Sequence, residues 1–167
     1  NESMRTLIII PVLLFLLLLG APSYSADFDK GLTAAQNGDF ATALKEWKPL
    51  AEQGDARAQY YLGVMYNNGD GVPQNFKEAV YWYRLAAEQG LADAQNNLGL
   101  IYFNGEGVNQ DYDKAFYWFK LAARQGDAEA MTSLGYLFDH GHGVQEDKIE
   151  AVYWYRRAAE LGNAKAQ

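Results

Sequence analysis

From residue 55 onward, apolar side chains recur at helical spacing. Ala58, Leu62, Met65 and Tyr66 fall at i, i+4, i+7 and i+8, one face of a helix. Asp55 stands just before them, where a carboxylate can accept from the free amides of a first turn. A loop carrying Gly69 and Gly71 ends this stretch. A second stripe follows: Phe76, Ala79, Val80, Tyr83 and Ala87, widened by Trp82 and Ala86. Gly90 comes next, where a helix closes on a left-handed residue that glycine adopts at least cost. The pattern predicts two helices joined by a loop.

This unit repeats. Gly54, Gly90, Gly126 and Gly162 are 36 residues apart. The same offset relates Leu62-Gly63, Leu98-Gly99 and Leu134-Gly135, and also Tyr66, Tyr102 and Phe138. It relates the loops Gly69-x-Gly71-Val72, Gly105-x-Gly107-Val108 and Gly141-x-Gly143-Val144. It relates Ala79, Ala115 and Ala151, then Trp82, Trp118 and Trp154. One two-helix unit cannot bury its apolar faces alone, so the units are expected to stack. Gly63 and its equivalents lie in mid-helix, where glycine costs about 1 kcal/mol against alanine. Close approach of a neighbouring helix is the expected compensation.

The pattern A-x-x-x-L-G-x-x-Y-x-x-G-x-G-V, followed by A-x-x-W-Y/F-x-x-A-A-x-x-G, resembles the Sel-one-like repeat (SLR), a branch of the tetratricopeptide superfamily. The resemblance covers Asp55 to Gly162 in three copies, 55–90, 91–126 and 127–162, with Phe138 departing at the Tyr position. A shorter unit, 26–54, precedes them. Phe28 to Gln36 is predicted as its first helix, Asn37-Gly38-Asp39 as a tight turn, and Phe40, Ala43 and Trp47 as the start of its second. Its loop is four residues shorter, as in an ordinary tetratricopeptide turn, and it is expected to cap the stack. Residues 163–167 copy the start of a further first helix. The last second helix is expected to leave an apolar flank carrying Val152 and Tyr155, a surface for self-association. The resemblance implies an all-α fold: a right-handed α-solenoid of stacked helix-turn-helix repeats, first helices on the concave side and second helices on the convex side.

The start of the chain has a different character. Behind Met4 and Arg5, Leu7 to Leu19 is an apolar run interrupted only by Pro11. Its 13 residues would span about 20 Å as helix, short of the roughly 30 Å of a bilayer core. That length fits the apolar segment of a signal peptide. Ser23 and Ser25 place small residues at −3 and −1 of a cut before Ala26. Residues 4–25 are therefore expected to be a cleaved leader, and the chain exported, periplasmic or secreted. An uncleaved leader would be its one link to a membrane.

Composition then removes function classes. The net charge of −7 disfavours a phosphate backbone, so no nucleic-acid partner is expected. With no Cys there is no disulfide framework, thiolate metal site or thiol nucleophile. Asp139-His140-Gly141-His142 offers two His and a carboxylate, but the equivalent loops carry no His. It is read as a polar turn, and no metal or cofactor is expected.

The resemblance implies an adaptor that grips protein or peptide segments. In the wider superfamily, contacts come from first-helix positions just before the Leu-Gly pair and about one turn on. Here those are Tyr60, Tyr61, Asn96, Asn97, Thr132 and Ser133, then Val64, Leu100 and Tyr136. Asn amides can bond a peptide backbone, and Tyr offers rigid contact area. Some tetratricopeptide domains clamp a C-terminal carboxylate with basic first-helix residues. Here Arg57 is followed by Asp93 and Glu129 at the equivalent positions, against such a clamp. The trios Tyr81-Trp82-Tyr83, Tyr117-Trp118-Phe119 and Tyr153-Trp154-Tyr155 match core positions, with the first residue of each expected to be exposed.

Catalysis is the rival class. Some cysteine-rich exported SLR proteins have been associated with β-lactam binding or hydrolysis, but they carry a Cys pair in each repeat. Ser133 is the one Ser after residue 25, and no S-x-x-K, G-x-S-x-G or H-E-x-x-H motif is present. No enzyme activity is expected.

Overall fold

The computed structural model describes residues 26–165, with side chains to residue 162. The expected leader lies outside the described residues. Among them are eight helices and no strand: α1 (Phe28–Gln36), α2 (Phe40–Glu52), α3 (Ala56–Asn68), α4 (Phe76–Glu88), α5 (Ala92–Asn104), α6 (Tyr112–Arg124), α7 (Ala128–His140) and α8 (Lys148–Lys165). Each packs chiefly on its neighbours in sequence, α1 on α2, α2 on α3 and so on to α8, the arrangement of a solenoid. None of the helices is long and apolar enough to cross a membrane.

The helix starts follow the predicted capping. Asp55 accepts from the amides of Arg57 and Ala58, Asp127 from Ala130, and Asp147 from Ile149 and Glu150. Leu91 is the exception. It makes no side-chain cap and packs on the core instead.

Within each repeat the two helices meet at the mid-helix glycine. A Cβ on Gly63 would lie 2.6 Å from the Tyr83 ring, on Gly99 2.6 Å from Phe119, and on Gly135 2.7 Å from Tyr155. The cap unit does the same with Gly31 and Trp47. The glycine thus removes the one atom that would hold the helices apart, and the ring fills the space. Between repeats, the second glycine of each loop rests on the preceding repeat. Gly71 and Gly107, both at positive φ, abut the Cβ atoms of Phe40 and Phe76, at 2.6 Å from where their own would stand.

Glutamines bind the turns of successive repeats. Gln59 Nε2 donates to the Ala51 carbonyl (3.0 Å), while Gln89 Nε2 donates to the Gly54 carbonyl (3.0 Å) and to Gln59 Oε1 (2.8 Å). One repeat on, Gln95 donates to Ala87 (3.1 Å), and Gln125 to Gly90 (2.9 Å) and Gln95 (2.8 Å). In the third repeat the equivalent positions are Met131 and Leu161. Met131 is buried, and Leu161 packs against the cluster that contains it.

The last repeat departs from the sequence expectation in two ways. Gly162 does not end α8, which runs unbroken to Lys165. At Gly54 and Gly90 the turn carbonyl is held by a later Gln amide. Gly126 closes its turn at φ 93° without such a bond, Leu161 standing where the Gln would, whereas at Gly162 the helix propagates. The apolar flank is also differently composed. Tyr155 turns inward over Gly135, and the exposed side chains are Ile149, Val152 and Tyr153.

Candidate functional site

Three pockets run together along the face formed by the first helices α3, α5 and α7. The largest of them, about 390 Å³, is lined by Leu100, Phe103, Phe119, Thr132, Ser133 and Tyr136. A second, about 360 Å³, is lined by Tyr60, Asp93, Asn96, Asn97, Asp127, Ala128 and Glu129. A smaller one, about 160 Å³, lies between them and shares Asn97 with one and Leu100 with the other. The groove therefore has an apolar, aromatic end and a polar, acidic end.

Helical spacing builds both ends. Leu100 and Phe103 lie about one turn apart on α5, as do Thr132 and Tyr136 on α7. Tyr136 is 39% exposed and Leu100 38%, so both offer contact area to a ligand. The Tyr136 ring meets Phe103 edge-on at 5.6 Å and stacks on His140 at 4.0 Å. His142 stacks on Tyr112 at 4.4 Å. Both imidazoles are thus engaged as flat surfaces, and no group of three potential metal ligands occurs among the described residues.

The expected groove residues divide by role. Leu100, Thr132, Ser133 and Tyr136 come together at the apolar end, and Tyr60, Asn96 and Asn97 at the acidic end. Tyr61 is elsewhere. Its ring stacks on Trp47 at 4.6 Å and packs against the cap cluster. Val64 is half-buried against the core cluster of α4 and α5. Asn97 lies close enough to the phenols of Tyr60 and Tyr83 to oppose part of the rise in their pKa. Burial pushes both phenols above the usual tyrosine range. For Tyr60 the charge of Asp93 adds to that rise. Ser133 donates its hydroxyl proton to the Glu129 carbonyl (3.1 Å) in its own helix.

Phe103 and the acids Asp93, Asp127 and Glu129 also line the groove. Phe103 lies three residues after Leu100, a spacing that would have revealed it. The joining of acids from two helices depends on packing and has no signal in one helix.

The first two members of each trio behave as expected: Tyr81 and Tyr117 are 49% and 55% exposed, while Trp82 is buried and Trp118 half-buried. In the third position, Tyr83 and Phe119 are buried and Tyr155 half-buried.

The Sel1 repeat pattern matches residues 56–91, 92–127 and 128–163. Among solved structures, c5321, a protective antigen present in uropathogenic Escherichia coli strains and displaying an SLR fold, is similar at 41% identity and a TM-score of 0.77, over 81% of this chain and 30% of that one. A Sel1 repeat protein from Oxalobacter formigenes is similar at 38% identity and a TM-score of 0.78, over 84% of this chain and 58% of that one. The chain thus spans less than two thirds of either. Helicobacter pylori cysteine rich protein B shares the fold at 24% identity and a TM-score of 0.58, over 74% of this chain and 89% of that one. The chain has no match among curated protein sequences. Sel1 repeat proteins are typically non-catalytic protein-interaction scaffolds. With three matched copies in an all-α solenoid, the chain belongs to the Sel1 repeat family.

Proposed function

We propose that this chain is an exported, non-catalytic scaffold that holds a protein or peptide segment on the face of α3, α5 and α7. The observation that carries this is the continuous groove, whose apolar end presents Leu100 and Tyr136 partly exposed over a pocket of about 390 Å³. Export is supported by the short apolar run and the small residues before Ala26. The test is crosslinking capture from cell-envelope extract with the chain and with a Leu100→Ala, Tyr136→Ala variant. Both side chains are partly exposed, so the variant is expected to keep its melting temperature. A partner captured by the first and lost by the second supports the groove. Equal capture by both overturns it and turns attention to the exposed flank of α8.

The hydrolase alternative has one structural point in its favour: Ser133 lines the groove. Its hydroxyl is engaged by its own helix, and the chain has no Cys. No turnover of a chromogenic β-lactam is expected. Turnover abolished by Ser133→Ala would replace the scaffold reading.

A further inference from the structure

The acidic end of the groove holds carboxylates that nothing in the described chain neutralises. Asp93 and Glu129 stand in the first turns of α5 and α7, and Asp127 caps α7. All three line the one pocket of about 360 Å³. Among the described residues, no Lys, Arg or His pairs with any of them.

A single acid in a first turn needs no ligand, since the helix dipole favours it there. That preference does not account for this pocket. The equivalent position on α3 is Arg57, which pairs with Asp55 at 3.5 Å and lies 4.0 Å over the Phe28 ring. The repeat therefore does not require an acid at this position.

Asn96 supplies the independent observation. It is only 3% exposed and lines the same pocket. Its Nδ2 donates to Glu129 Oε2 at 3.3 Å, while its Oδ1 has no hydrogen-bond partner. Turning the amide over would set two oxygens against each other, so Glu129 fixes the orientation. A buried carbonyl oxygen left without a donor is costly. What the pocket lacks is a hydrogen-bond donor, and its charge calls for a cationic one. Tyr60 shows the same field: beyond burial, the charges of Asp93 and Glu129 raise its phenol.

We propose that this pocket is a recognition subsite for the basic side chain, Lys or Arg, of a peptide segment lying along the first helices. The proposal rests on the scaffold reading and specifies its ligand. An ammonium or guanidinium has several donors and no acceptor, so it can bridge the carboxylates and, with a small turn of the Asn96 side chain that uncovers its buried Oδ1, meet that oxygen too. The apolar pocket beyond Leu100 then takes the side chain of a neighbouring apolar or aromatic residue. The inversion from Arg57 to Asp93 and Glu129 turns a face suited to carboxylates into one suited to cations.

The test is an NMR titration of the isotope-labelled full chain with blocked lysine (N-acetyl, N′-methylamide) and its norleucine counterpart. Lysine is expected to shift the Asn96 side-chain amide and the backbone amides of Asp93 and Glu129; norleucine is not. Asp93→Asn and Glu129→Gln are each expected to weaken this binding about tenfold. Both residues are exposed, so neither variant is expected to change the melting temperature. Equal response to norleucine, no response to lysine, or binding unchanged in both variants would overturn the subsite. A parallel titration with a blocked Leu-Tyr dipeptide separates the two proposals. Response at Leu100 and Tyr136, with silence at Asn96, overturns the cation subsite and leaves the scaffold reading. Silence at both ends overturns both.

Discussion

Where α3 and α5 meet the repeat before them, paired glutamines carry the contact; where α7 does so, a methionine and a leucine carry it. Gln59 with Gln89, and Gln95 with Gln125, form the same bonds within 0.1 Å. Met131 and Leu161 occupy the matching positions with no polar atom to satisfy. Both members of the pair have changed together. A buried amide is safe only while its partners are present, and an apolar side chain only where no buried partner is orphaned. The two solutions are each sound and do not mix.

Mixing them should therefore have the largest effect. Gln59→Leu takes one of its donors from the Ala51 carbonyl and one of its two acceptors from the Gln89 amide, and is expected to cost about 1–2 kcal/mol in denaturant unfolding. A cost near zero would mean that water replaces the bonds. Next are the mid-helix glycines. Phe119 is 1% exposed and cannot yield, so Gly99→Ala should cost about 1–2 kcal/mol net of the gain in helix propensity. Tyr155 is half-buried and can turn outward, so Gly135→Ala should be close to neutral. Equal costs at the two positions would show that the last repeat is as tightly packed as the second.

Alkaline pH separates the first repeat from the second, because Tyr83 stands where Phe119 does. Burial raises the Tyr83 phenol above its value in the unfolded chain. Its contribution is complete below roughly pH 10 and is lost as pH rises toward the folded-state value. Between about pH 10 and 11 the wild type should lose up to about 1 kcal/mol more than Tyr83→Phe. Identical losses would show that the ring is not held in place. A small effect is also expected of the paired change Gln59→Met with Gln89→Leu, which copies the third repeat into the first. It should cost less than about 1 kcal/mol, below Gln59→Leu alone.

Much of the fold was legible because a 36-residue offset exposes every position that matters three times. Leu62-Gly63, the double-glycine loops and the Asp caps all fall where the repeat puts them. The position of Tyr61 was not legible, because it depends on Trp47, whose indole stands in the cap where every later repeat has a smaller Tyr or Phe ring. Nor was the glutamine pairing, since its partners lie 30 residues apart and an apolar periodicity carries no sign of it. At the candidate site, the positions one turn apart on α5 and α7 could be named in advance. The split into an apolar end and an acidic end could not, because each end joins side chains of different helices.

The loop glycines also carry a direction. Gly71 sits on Phe40 and Gly107 on Phe76, each on a residue made earlier than itself. The seat for every repeat is complete before the residues that fill it leave the ribosome. A chain built this way can fold in the order in which it is synthesised. Each repeat is seated as soon as it is made, and only its second helix stays open until the next first helix arrives to cover it.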